Sequence, residues 1–119
     1  MHKDVLSTIA RISPEGIPEL SVQQVREHRD ALRIVDVRRP DEFNAELGHI
    51  KGAAFCTLET DLEIVLPKLS RQETYVFVCR SGGRSAQATA FAKAQGFEKV
   101  FNMMGGMLAW NSAGFEIER

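Results

Sequence analysis

Cysteine is scarce in this chain: Cys56 and Cys79 are the only two among 119 residues. A secreted domain of this size usually carries a denser disulfide framework, so reduced thiols and a cytoplasmic location are the expectation. The histidines, His2, His28 and His49, are scattered, and neither they nor the cysteines fall into CxxC or HxxxH spacing, which argues against a metal site. No run approaches the roughly 20 apolar residues that span a bilayer, and Met1 to Arg11 lacks the apolar core of a signal peptide, so no membrane partner is expected. A net charge of −1, with the basic residues spread along the chain, supplies no field for a polyanion and sets nucleic acid aside as a partner. Repeats, low-complexity runs and Gly/Ser linkers are also missing.

What remains is ordinary globular composition, 44% hydrophobic and 26% charged, at a length that suits one compact domain. Ser21 and Gln24 are spaced as a capping box, with Leu20 and Val25 as a hydrophobic staple, which predicts a helix from Val22 to about Arg29. Leu32 to Val37 is apolar and β-branched and stops at the turn-prone Arg39-Pro40-Asp41, the pattern of a strand feeding a loop. Gly52 to Phe55 is a weaker strand. Thr60 and Glu63 form a second capping-box pair ahead of Leu62, Val65, Leu66 and Leu69, a helix that Pro67 should kink or shorten.

Tyr75-Val76-Phe77-Val78 is a continuous apolar run, as in a central parallel strand buried on both faces. Cys79 sits at its carboxyl end, and a helix from Ser85 to Gln95 follows, closed by Gly96. Lys99 to Phe101 reads as another short strand, and Met107 to Ser112 as a short helix stopped by Gly114. Met103, Met104, Met107 and Trp110 read as core. The β/α alternation implies an α/β fold with a mostly parallel sheet, helices on both faces and a ligand site beyond the strand carboxyl ends.

Between Cys79 and the helix lie Arg80, Ser81, Gly82, Gly83 and Arg84. Gly82 and Gly83 allow positive φ, so the backbone can curl and aim successive amides at one point, which would be the Cys79 sulfur. The start of the helix at Ser85 adds unsatisfied donors and partial positive charge, and Arg80 and Arg84 add full charges. All of these favour thiolate over thiol. A structural cysteine in an apolar strand has no need of such a cradle, so Cys79 is read as a nucleophile with a depressed pKa.

Cys79-Arg80-Ser81-Gly82-Gly83-Arg84-Ser85 resembles the active-site loop of single-domain members of the rhodanese family. Asp36-Val37-Arg38 with Pro40, Glu42 and Phe43, and then Gly48-His49-Ile50-Lys51-Gly52-Ala53, is similar to its upstream signature. Gly96-Phe97, Val100 and Gly105-Gly106-Met107-Leu108-Ala109-Trp110 look like its closing one. The resemblance implies a rhodanese-like fold with a central five-stranded sheet over residues 19–119. Residues 1–18 then form an extension in which Val5, Leu6, Ile9 and Ile12 would line one face of a short helix.

The resemblance also implies a thiosulfate sulfurtransferase that needs no cofactor. Cys79 would take a sulfane sulfur from a small anionic donor and pass it as a persulfide to cyanide or a thiol, including a protein thiol in a sulfur relay. Cysteine phosphatases and arsenate reductases with related loops space cysteine and arginine one residue further apart than Cys79 and Arg84, so that chemistry ranks lower.

Asp36 and Arg38 end a strand whose tip should neighbour the cysteine loop. A buried ion pair is the expectation for Asp36, while Arg38 could instead reach the donor anion. His49 is expected to be structural, because a thiolate already formed at neutral pH needs no general base. Cys56 reads first as a small buried hydrophobe, with a redox partnership, in which it traps Cys79 as an internal disulfide, as the alternative.

Overall fold

The computed structural model describes residues 5–119. The alternation expected from the sequence is present, with α1 (Val5–Ile9), β1 (Arg11–Ile12), β2 (Pro18–Leu20), α2 (Val22–Glu27) and β3 (Arg33–Asp36) in the first part of the chain. α3 (Pro40–Phe43), β4 (Ala54–Phe55) and α4 (Leu62–Val65) follow, then β5 (Tyr75–Val78), α5 (Gly83–Ala94), β6 (Val100–Met103) and α6 (Gly106–Ser112). The sheet has six strands in the order β1-β2-β6-β5-β3-β4. Five are parallel, as expected, and the sixth, β1, is antiparallel and comes from the N-terminal extension. The extension therefore divides: its helix stops at Ile9, and Ile12, expected on that helix, stands in β1. The first four residues of the extension lie outside the described residues.

Every residue of β5 is buried, which fits a central strand with apolar layers on both sides. On one face, Ile34, Val76, Val78, Phe101 and Met103 pack against Val22, Val25, Met107 and Trp110 of α2 and α6. On the other, Val35, Val37, Phe77, Cys79 and Val100 pack against Leu62, Leu66, Ala88 and Ala92 of the α4 and α5 segments. Each large side chain buried this way contributes about 1.5–3 kcal/mol relative to exposure.

The capping box at α2 forms as spaced, with Gln24 N donating to Ser21 Oγ and Ser21 N to Gln24 Oε1. The box at Thr60 and Glu63 does not: Asp61 is the N-cap of α4, its carboxylate taking bonds from Thr57 N and Thr60 Oγ1. Pro67 shortens α4 as expected, the chain tightening into a 3-10 turn over Leu66–Lys68. Arg39-Pro40-Asp41, read as a turn, opens the one-turn helix α3, where Pro40 at the first position has no N–H to waste.

Candidate active site

Cys79 lies one residue beyond β5 and is buried. Its sulfur accepts hydrogen bonds from Gly82 N at 3.1 Å and Ser85 N at 3.3 Å, and Ser85 Oγ lies within hydrogen-bond distance at 3.2 Å. α5 begins at Gly83, two residues earlier than expected, which makes Gly82 its N-cap and Ser85 its third residue. The sulfur thus stands where a serine or aspartate N-cap side chain would stand, accepting the third-position amide that glycine cannot reach. Gly82 carries the curl with φ at +108°. Gly83 does not adopt positive φ, contrary to expectation, and nothing crowds the place its Cβ would occupy.

Burial pushes the Cys79 thiol up, but the bonds from the Ser85 hydroxyl and from the Ser85, Gly82 and Ser81 amides outweigh it and leave the pKa below the ordinary value. Cys56 shows the opposite balance: burial first, then the charge of Asp61, push its thiol up to about 11. It lines an apolar cavity of about 560 Å³ with Leu62, Val65 and Tyr75, separate from the cysteine loop.

The two loop arginines have different surroundings. Arg80 is exposed and forms no ion pair among the described residues. Arg84 is clamped by Glu42 of α3 in a two-pronged bond of 2.7 and 2.8 Å. The Glu42 carboxyl is held at about 2, chiefly by the Arg84 hydrogen bond, against the opposing effect of burial. Because this folded-state pKa is depressed, the clamp contributes fully above the ordinary carboxylate value of 4.5 and is lost as pH falls through about 2. Thermal melts of the parent and Glu42→Gln should differ at pH 6 and converge toward pH 2. A gap that stays constant across that window would contradict the clamp.

The loop is also held from behind. Met107 N and Leu108 N, in the first turn of α6, donate to the carbonyls of Cys79 and Arg80 at 2.9 and 3.0 Å. Gly106 makes this approach possible: a Cβ there would stand 2.5 Å from Cys79 O and from the Arg80 carbonyl, at φ +57°. Gly106→Ala is expected to lose about 1–3 kcal/mol in urea unfolding through this overlap. It should also raise the Cys79 pKa as the loop shifts.

Asp36 and Arg38 form the buried ion pair expected for Asp36, but the donor-binding role for Arg38 needs correction. Arg38 is 1% exposed, bonded through Nε and a terminal nitrogen to both Asp36 oxygens at 2.9 and 2.8 Å, and to Gly48 O at 2.7 Å. The physical reason is strand parity: Asp36 projects on the face of Ile34, whereas Val35, Val37 and Cys79 belong to the other. His49 is stacked on Phe43 at 3.9 Å between centroids, its Nδ1 sits 3.0 Å from Phe43 O, and its backbone pairs with Glu118.

Cys56 is not placed for a direct disulfide. Its amide continues the β4 ladder onto Asp36 O, and Val37 N continues the β3 ladder onto Val78 O, so Cys56, Val37 and Cys79 stand abreast. Two strand spacings separate the cysteine backbones by about 10 Å, whereas a disulfide needs Cα atoms within about 7 Å. Glu42 and Asn102 were missed as site residues. Asn102 left a signal, a polar residue inside the apolar run Val100–Met103; the tie between Glu42 and Arg84 left none.

The family profile described as Rhodanese-like domain matches residues 21–113. This chain belongs to the rhodanese family. Among rhodanese relatives, it is 35% identical over 98 residues to the putative sulfur carrier protein YrkF of Bacillus subtilis, covering 80% of this chain but 51% of YrkF. The chain thus spans about half the length of that relative. It is 34% identical over 95 residues to a sulfurtransferase of Allochromatium vinosum, covering 80% of this chain and 85% of that protein. A rhodanese-related protein of Thermoplasma volcanium superposes with a TM-score of 0.76 at 26% identity, covering 82% and 94% of the two chains. Among the described residues, no helix is long and apolar enough to cross a membrane.

Proposed function

We propose that this rhodanese-like domain is a thiosulfate-type sulfurtransferase that carries sulfane sulfur as a persulfide on Cys79. The observation that carries the reading is the set of donors converging on Cys79 Sγ, two amides and a hydroxyl within 3.3 Å. The names sulfurtransferase and sulfur carrier among the relatives point the same way.

The thiolate attacks the sulfane sulfur of a small anionic donor such as thiosulfate. A Cys79 S–S bond forms as the donor's S–S bond breaks, and its electron pair leaves on sulfite. Arg80, exposed at the rim, offers its charge to the donor and the departing anion, while Arg84 stays tied to Glu42. The terminal sulfur then passes to cyanide, giving thiocyanate, or to a thiol, giving a new persulfide, and Cys79 returns as thiolate. A protein thiol as acceptor would make the chain a relay, and the similarity to a putative sulfur carrier supports that acceptor class.

Intact mass after thiosulfate treatment tests the reading. One added sulfur atom, removed by cyanide, is the expected result. The absence of an adduct, together with turnover of p-nitrophenyl phosphate, would replace sulfur transfer with phosphatase chemistry.

A further inference from the structure

Asn102 is a polar residue in an otherwise apolar strand, 2% exposed, and stands in register with Glu19 of β2, which stands in register with Arg11 of β1. Asn102 Nδ2 donates to Glu19 Oε2 at 3.2 Å, and Glu19 is 3.9 Å from the Arg11 guanidinium. On its other side Asn102 Oδ1 accepts from the hydroxyl of Ser85 at 2.5 Å, and the same hydroxyl lies 3.2 Å from Cys79 Sγ. A polar line thus crosses from the sheet edge to the sulfur.

The chemistry of each group fixes the direction of the line. An ionised carboxylate only accepts, so Glu19 holds the Asn102 amide with its NH2 toward the edge and its carbonyl toward Ser85. A serine hydroxyl has one proton and satisfies one acceptor at a time. Directed at Asn102 across 2.5 Å, that proton leaves only lone pairs for Cys79, which accept from a thiol and do nothing for a thiolate. For Ser85 to donate to the thiolate, the proton must turn away from Asn102 and leave a buried carbonyl without its partner, which carries a cost.

We propose that Asn102, oriented by Glu19, is a positioning residue that competes with Cys79 for the single proton of Ser85 and so restrains ionisation of the nucleophile. This rests on the reading of Cys79 as the sulfur-carrying thiol. The other groups around that thiol act independently of the line: Arg84 with Glu42 and its neighbour Glu59, exposed Arg80, and the amides of Gly82 and Ser85.

Site-resolved alkylation of Cys79 as a function of pH reads the competition directly. Asn102→Ala frees the hydroxyl and should lower the Cys79 pKa by about 0.5–1 unit, roughly three- to tenfold more thiolate at a given pH, the scale of one neutral hydrogen bond. Ser85→Ala removes the contested proton, so Ser85→Ala/Asn102→Ala should match Ser85→Ala alone. An Asn102→Ala pKa that stays or rises, or a fall that survives in the Ser85→Ala background, overturns the proposal.

Should Asn102→Ala fail to fold, Glu19→Lys reads the same device from a partly exposed position. The introduced ammonium only donates, turns the amide over, and sends the Ser85 proton to sulfur. Its lowering of the pKa should largely vanish in the Ser85→Ala background, whereas a pure charge effect would persist there and overturn the proposal. Sulfur loading from thiosulfate is scored separately. These pKa shifts without loading remove the sulfur-transfer reading and leave the positioning role; loading without them does the reverse.

Discussion

Cys79→Ala is expected to take up no sulfur from thiosulfate and to lose thiosulfate:cyanide turnover by at least about a thousandfold, the scale seen when a covalent nucleophile is deleted. The site is organised around this one atom: the amides of Gly82 and Ser85 and the Ser85 hydroxyl end on it. Without sulfur these donors have no covalent chemistry to support. The fold should survive, because the loop is also held through the Cys79 and Arg80 carbonyls by the first turn of α6. A variant with native circular dichroism and no sulfur adduct is the expected pair of results. An adduct that persists on Cys56 in Cys79→Ala would move the chemistry to the other thiol, against the pKa of about 11 that burial imposes on it.

Arg38→Met should be the most destabilising of the changes considered, by about 3–5 kcal/mol in urea unfolding, because it leaves the Asp36 carboxylate buried without its partner. That is a large share of the roughly 5–15 kcal/mol by which domains are stable. Both side chains of the pair are 1% exposed. The guanidinium also holds Gly48 O, and the Arg38 carbonyl accepts from Thr57 Oγ1, so the pair joins the segment after β3 to those on either side of β4. Asp36→Asn/Arg38→Met should recover part of the loss by removing the stranded charge. Folded Arg38→Met at low temperature should load sulfur at the parental rate, since the pair sits on the face of the sheet opposite Cys79. A loss of loading without a loss of stability would return Arg38 to donor binding.

What the sequence revealed was local. β5 followed from a continuous apolar run, the cysteine loop from two glycines and two arginines before an alanine-rich helix, and α2 from its capping box. Each of those signals is contained within a few consecutive residues. Some readings failed because a near neighbour took the role instead, and others because the partner lies far along the chain. Thr60 and Glu63 had capping-box spacing, but Asp61 between them took the cap. Gly83 looked like a second positive-φ position, yet the curl is complete at Gly82. Arg38 was considered for a donor anion although its own strand supplied the carboxylate two residues back. The clamp of Arg84 by Glu42 spans 42 positions, and the Asn102–Glu19 contact spans 83. No local pattern encodes such pairs; a buried polar residue in a strand shows only that a partner must exist.

If Cys79 carries sulfur as proposed, the spacing of the two cysteines sets how that sulfur leaves. Because Cys56 and Cys79 stand two strands apart on a packed sheet, a sulfur atom held on Cys79 has no neighbouring thiol within the molecule onto which it can discharge. Its dwell time is then governed by collision with an outside acceptor and should shorten in proportion to acceptor concentration. On the proposed function, the loaded domain would act as a reservoir of sulfane sulfur whose outlet is the exposed rim at Arg80.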